Sequence, residues 1–197
     1  EPFVTWMDAY NVRQGNPGIK PEYIDSYEAG VQRFFGRNML SLEGYYRITD
    51  NKIERILSVY DENVMLHSVD NVGKDYTLGI EAMLNMDAFK WWNVNLMGNV
   101  YNYKIEGTLY DQAFSRESND WGARFNNTFK FWGDTRFQVN VMYKSPTVSA
   151  QGTREGFLTT NLALKKDFMN KKLQVIAQVR DVFATAKYEF TSEGPGF

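Results

Sequence analysis

The sequence predicts an all-β fold: an antiparallel transmembrane β-barrel segment of about eight amphipathic strands, with short turns at one end and long loops at the other. Three observations predict it. Apolar and polar residues alternate with period two in eight separate stretches. The connections between those stretches alternate short and long. The chain carries 14 Phe, 12 Tyr and 5 Trp among 197 residues, yet its mean hydropathy is a polar -0.48. A strand wall with one face in lipid and the other in water satisfies both numbers.

The first strand is the weakest, with Tyr27, Ala29, Val31 and Phe35 set against Glu28, Gly30 and Gln32. Leu40, Leu42, Gly44 and Tyr46 then oppose Ser41, Glu43, Tyr45 and Arg47, and Tyr76, Leu78, Ile80, Ala82 and Leu84 oppose Thr77, Gly79, Glu81, Met83 and Asn85. Trp92, Val94, Leu96, Gly98 and Val100 define the fourth apolar face, and Phe125, Phe129 and Phe131 the fifth. The sixth stretch runs from Phe137 to Lys144 with its odd positions apolar or aromatic. Leu158, Thr160, Leu162 and Leu164 form the seventh, and Leu173, Val175, Ala177 and Val179 the eighth. Several stretches reach about ten residues, the length a tilted membrane strand needs. Gly36-Arg37-Asn38, Asp87 to Lys90, Gly133-Asp134 and Asn170-Lys171 have hairpin composition, whereas about 50–71, 105–119, 145–156 and the tail from 183 are expected to be long extracellular links. Phe137 with Tyr143, and Trp121 with Phe129, are spaced along their strands like two aromatic girdles.

The opposite face is charged with both signs: Glu28, Glu43, Arg47, Glu81, Arg124, Lys130, Lys144, Lys165 and Arg180. A dry core would need nearly every one of these paired, while a wet lumen would not. The expected lumen-facing set is therefore Glu43, Arg47, Glu81, Arg124, Lys144 and Arg180.

Composition narrows the function. A net charge of -2 leaves no basic surplus for nucleic acid. No cysteine is present for disulfides, Cys-based zinc sites or thiol catalysis. His67 is the single histidine, so a Ser-His-Asp site would hang on one loop residue. Asp61-Glu62 or Asp70 could offer oxygen ligands suited to calcium, but a solvated acidic loop explains them more simply. Glu43 and Glu81 could do acid–base work on a glycan, but hydration or salt bridges with Arg47 or Arg124 are preferred. Asn126-Asn127-Thr128 matches a glycosylation sequon inside a strand and is dismissed. Gly30, Gly44 and Gly79 within strands read as curvature before ligand contact. No catalytic residue, metal or cofactor is expected. The residues expected to capture a ligand sit in the long loops: Tyr60, Asp61, Glu62, Tyr110, Arg116, Glu117, Asp120, Arg154 and Glu155.

Side counting adds a topological expectation. With short turns in the periplasm, residues 1–24 begin outside and the tail 183–197 ends outside, whereas barrels usually keep both termini in the periplasm. Residues 1–197 therefore read as one partial domain, lacking strands before and after it. The opening Glu1-Pro2-Phe3 has no signal-peptide character, and Phe197 reads as a loop residue.

Asn16-Pro17-Gly18-Ile19-Lys20-Pro21-Glu22 followed by Ser26-Tyr27-Glu28-Ala29-Gly30 resembles the N-P-x-L-K-P-E…S-Y-E-x-G signature of the C-terminal barrel half of TonB-dependent outer-membrane receptors, with Ile19 in place of the usual Leu. Glu43 to Arg47 with Ile53-Glu54, Asn71-Val72-Gly73-Lys74 with Gly79-Ile80-Glu81, and Arg180-Asp181-Val182-Phe183 resemble later blocks of the same family, nearest the outer-membrane β-barrel family proteins. The resemblance implies a parent barrel of about 22 strands, a plug domain, energy coupling through the TonB complex, and outer-membrane localisation in contact with lipid. A nutrient ligand of unknown class and a surface lipoprotein are the remaining expected partners. Two alternatives differ in class: a non-energised barrel for adhesion or secretion, and a soluble carbohydrate-binding β-protein with its aromatic face buried. Pro17 and Pro21 give the first block its own physical reading, an extended rim segment that leads into a strand without pairing fully.

Overall fold

The computed structural model describes residues 3–197, which form strands and no helix. In chain order the strands are β1 (Val4–Trp6), β2 (Asn11–Gln14), β3 (Tyr23–Phe35), β4 (Asn38–Asp61), β5 (Val64–Phe89), β6 (Trp92–Leu109), β7 (Gln112–Phe131), β8 (Thr135–Lys144), β9 (Thr147–Ser149), β10 (Gly152–Arg154), β11 (Phe157–Phe168), β12 (Leu173–Val179) and β13 (Phe190–Ser192). The eight expected strands are β3 to β8, β11 and β12. They pair as one antiparallel meander, each with its sequence neighbour.

Register tests the eight separately read faces, because a slip of one residue anywhere would flip every side chain beyond it. Val31 pairs with Leu42, Leu42 with Ala82, Ala82 with Gly98 and Gly98 with Ala123. Ala123 pairs with Tyr143, Tyr143 with Leu158, and Leu162 with Val179. All eight apolar faces coincide on one side of the sheet. That side is uncovered: Leu78 is 60% exposed, Ile80 52% and Val100 55%. Among the described residues no second layer covers it, unlike the buried aromatic face that the soluble alternative expects. Near the short turns, Trp92, Phe129 and Phe137 stack across β6, β7 and β8 with centroids 5.9 and 6.3 Å apart. Trp121 and Tyr143 meet at 4.4 Å eight and six residues away along β7 and β8. Asn127, on the apolar side, accepts a hydrogen bond from the Trp92 indole at 3.0 Å, which satisfies its amide oxygen.

The sheet is open. β3 and β12 each pair on one side only, and every residue of both is exposed.

The long links differ most from expectation. β4 and β5 run for 24 and 26 residues, so 50–71 is no loose loop but a hairpin closing at Glu62-Asn63. Segment 105–119 is likewise a hairpin, turning at Tyr110 and Asp111, both with positive φ. The 145–156 link folds into β9 and β10, and the tail returns as β13, making a three-stranded sheet. The second short turn lies at Lys90-Trp91. A membrane strand spans about 9–11 residues, so the upper halves of β4 to β7 stand clear of the bilayer as a rim. They carry a small core of Ile56, Val72, Ile105 and Ala150, backed by Tyr103, Leu109, Tyr110 and Phe114. Gln151 closes it, accepting from the Leu57 amide (2.7 Å) and donating to the Leu57 carbonyl (2.8 Å) and the Tyr110 hydroxyl (2.7 Å).

At the base of the rim β5 and β6 cross where neither could carry a side chain. A Cβ on Gly107 would lie 1.7 Å from the Val72 carbonyl oxygen, and Gly73 has φ +145. Above this crossing β2 takes β6's place beside β5, in parallel, through Asn11–Met65 to Arg13–His67.

Candidate functional site

Two surfaces carry chemistry, the polar face of the sheet and the rim above it. The polar face is ordered in rows because the register aligns like residues. Asn85, Asn95, Asn126, Asn140 and Asn161 stand opposite one another across β5, β6, β7, β8 and β11. Asn126 donates to Asn95 at 3.1 Å, and Asn161 accepts from the Asp181 amide at 2.9 Å. The neighbouring row is Met83, Met97, Arg124 and Met142, in which the Arg124 guanidinium lies 3.3 Å from the Met142 sulfur. Above it, Glu43, Glu81 and Asn99 align, with Lys144 two strands further on beyond Gly122.

Glu43, Arg47, Glu81, Arg124 and Lys144 fall on this polar side by register, and Arg180 follows directly after β12, outside the paired strands. The expected pairing differs. Arg47 bonds Glu28 at 2.7 Å rather than Glu43 or Glu81, because β3 supplies the opposing carboxylate and Ser26 holds it. Glu43 and Glu81 face each other in register, an arrangement of like charges that a wet face tolerates and a dry core would not. The Arg47 guanidinium also lies 4.6 Å from the centre of the Tyr45 ring, which covers Gly79. A Cβ on Gly79 would stand 2.6 Å from that ring, so this glycine makes room for an aromatic. A hollow of about 260 Å³ lies between Glu81, Met97, Asn99, Arg124, Met142 and Lys144. It is smaller than ordinary small-molecule pockets, and a larger ligand would touch it only in passing.

At the rim, Tyr60, Asp61 and Glu62 form the exposed tip of the β4–β5 hairpin, with Trp6 edge-on to Tyr60 at 6.4 Å. Tyr110 and Arg116 share a hollow of about 410 Å³ with Phe114, Glu193 and Pro195. Glu117 lies on β7, where it accepts from Asn102 at 2.7 Å. Arg154 ends β10, and Glu155 is tied to the tail through the Glu189 carbonyl at 3.0 Å. Of the nine expected rim residues, Tyr110 and Arg116 line this cavity together. Asp120 departs from the set: it is 2% exposed inside β7, on the polar side next to Trp121, and is not displayed in a loop. His67 hydrogen-bonds Asn11 at 2.9 Å across the parallel pair. Asp70 is occupied by Asn16 at 3.1 Å, nine residues along the chain from Asp61.

The first sequence block acquires a physical role that its residues only half disclosed. Asn71 accepts from the Lys20 amide (2.8 Å) and donates to the Lys20 carbonyl (3.0 Å) and the Asn51 carbonyl (2.7 Å). Its side chain pairs with the rim segment as a neighbouring strand would. Glu22 accepts from the Ile53 amide at 2.6 Å and, with Asp75, flanks the Lys52 ammonium at 3.5 and 3.4 Å. Burial alone would depress Lys52, but the two carboxylates outweigh it and hold the ammonium above its usual range. Burial pushes the Glu54 carboxyl up, with Lys52 offsetting part of the rise. Beside β2, the backbone N–H of Tyr10 holds Asp8 below the usual carboxylate range. Asn71, Glu22 and Gln151 were not distinguished by residue type alone, since Asn, Glu and Gln are common in loops.

No curated protein and no solved structure matches the chain. A family model, "Outer membrane protein beta-barrel family", matches residues 1–197. With one uncovered apolar face, stacked aromatics at two heights and a charged opposite face, the chain belongs to the outer membrane protein β-barrel family and resides in the outer membrane.

Proposed function

We propose that this chain is a wall segment of a TonB-dependent receptor, in which the polar face lines an import lumen and the rim contacts a nutrient before entry. The observation that carries the reading is the pair of one-sided strands, β3 and β12. In a bilayer no water satisfies their outward N–H and C=O groups, so both edges must be paired, and in this reading further strands of the parent barrel pair with them. An added wall on both sides makes a barrel wide enough for a hydrated lumen, consistent with about 22 strands. The blocks from Asn16 to Gly30 and from Asn71 to Glu81 support the TonB-dependent form. Transport, without catalysis, metal or cofactor, suits a face built of hydrated Asn, Glu, Arg and Lys. Tyr60, Asp61, Glu62, Tyr110, Arg116, Glu117, Arg154 and Glu155 are the proposed outer contacts, with Tyr110 and Arg116 first among them. A surface lipoprotein seated on the rim is compatible with this arrangement.

The test is uptake by cells carrying the full-length protein, assayed with labelled glycan, peptide, siderophore and cobalamin substrates. Deleting TonB, or collapsing the proton-motive force, is expected to abolish uptake of the substrate taken. Undiminished uptake would overturn energy coupling and favour a non-energised barrel for adhesion or secretion.

A further inference from the structure

The short-turn end of the sheet carries a charge the rest of the chain does not. Windows 33–38, 87–92, 130–136 and 165–174 hold nine basic and three acidic residues, leaving thirteen basic and twenty-one acidic elsewhere. A chain of net charge -2 is thus strongly polarised along the strand axis. Six of the nine lie in the turns or on the apolar side: Arg33, Arg37, Lys90, Lys166, Lys171 and Lys172, all exposed. Asp134 is the acidic residue in that zone, since Asp87 and Asp167 fall on the polar side, where Asn93 (3.0 Å) and Gln174 (2.9 Å) hydrogen-bond them. Aromatics fix the depth of this band. Phe89 and Trp91 stack at 5.4 Å, Trp132 is 90% exposed, and the Lys166 ammonium lies 5.1 Å from the centre of the Phe168 ring. Aromatics at such a position mark the boundary between acyl chains and headgroups, so the cations project to headgroup level.

We propose that this basic and aromatic band binds the phosphates of anionic phospholipids in the leaflet that the short turns face. Charge complementarity selects the occupant: cations held at headgroup depth outside the lumen meet lipid phosphate before any soluble anion. The leaflet assignment rests on the periplasmic placement of the short turns, whereas the headgroup preference does not. Each basic residue near an anionic surface is worth roughly fivefold in association, and the effect weakens as salt shortens the Debye length.

The test uses the full-length protein in phosphatidylcholine vesicles, with spin-labelled phosphatidylglycerol or phosphatidylcholine reporting the motionally restricted lipid. Phosphatidylglycerol is expected to be favoured at least fivefold at low salt, and Arg37→Gln, Lys90→Gln, Lys171→Gln and Lys172→Gln together are expected to cut the preference by at least half, with Arg33 and Lys166 keeping the remainder. These four side chains are exposed turn residues, so the fold does not depend on them. A ratio of one in the unaltered protein, or a preference of undiminished size in the fourfold variant, would overturn the proposal. Inorganic phosphate is expected to compete no better than chloride of equal ionic strength, and specific competition by phosphate would overturn the lipid source. Orientation is read separately, from labelling of Trp132→Cys with an impermeant maleimide. Labelling in intact cells would overturn the leaflet assignment alone.

Discussion

Removing the Asn71 side chain isolates what the first sequence block does. In Asn71→Ala, the seam between β5, the segment around Lys20 and Asn51 of β4 loses three hydrogen bonds at 2.7–3.0 Å, two to Lys20 and one to the Asn51 carbonyl. At about 1 kcal/mol net for each, the loss is about 3 kcal/mol of local stability. That corresponds to roughly a hundredfold rise in the local opening constant. Asn71→Asp keeps the acceptor for the Lys20 amide and loses both donors, so about 2 kcal/mol and roughly thirtyfold are expected. Hydrogen exchange at the Lys20 and Ile53 amides reads the difference, with an amide in β8 as internal control. Faster exchange in the order Ala, Asp, wild type is expected, with β8 unchanged. Equal exchange in all three would refute the view that Asn71 acts as a surrogate strand. A uniform rise including β8 would show that the residue serves global folding instead.

Adjacent residues on β6 are expected to differ sharply: Leu96→Arg at mid-strand on the apolar side should cost about 2–4 kcal/mol in vesicle refolding, whereas Met97→Arg on the polar side should cost less than about 1 kcal/mol. Equal costs would mean the two faces are not distinguished by lipid. Gly107→Ala should disrupt the crossing of β5 over β6, because its Cβ would lie 1.7 Å from the Val72 carbonyl oxygen, and protease sensitivity of the rim would report it. The raised Glu54 carboxyl favours the folded rim at acid pH, below its ordinary value of 4.5, and that contribution is lost as pH rises through the higher folded value. Glu54→Gln should therefore slow rim exchange at pH 7 and make little difference at pH 4, and the reverse pattern would contradict the cause assigned. Gln151→Ala should loosen the β9–β10–β13 sheet and leave the membrane strands intact, visible as local exchange at the Leu57 amide.

Much of the wall was legible because a membrane strand states its two environments residue by residue. Phe137 to Lys144 keeps all its odd positions apolar and three of its four even ones polar, and the side of the sheet that each residue takes between β7 and β11 follows that phase. The rim was not legible for reasons visible in particular residues. In β4 the alternation begun at Leu40 breaks at Asn51, where φ is +55 and the register slips on either side of Lys52, so the phase changes mid-strand. The β6–β7 turn uses Tyr110 and Asp111 at positive φ, positions where Asn-Gly would have announced a hairpin. Asp120 looked like a loop carboxylate because 105–119 looked like a loop. Once that segment is a hairpin, the same alternation carries Asp120 inward beside Trp121. The asparagine row was present in the parity of Asn85, Asn95, Asn126, Asn140 and Asn161, but alignment across strands needs register, and register is a property of the folded sheet.

A spin-label scan of β8 tests most directly the claim that one face meets lipid and the other water. Labels placed one at a time from Phe137 to Lys144 in a cysteine-free background, with the protein in vesicles, are compared for collision with oxygen and with a water-soluble nickel chelate. The account predicts period two, with Phe137, Val139, Val141 and Tyr143 favouring oxygen and Gln138, Asn140, Met142 and Lys144 favouring nickel. Absence of the period, or the same period with the opposite phase, would contradict it.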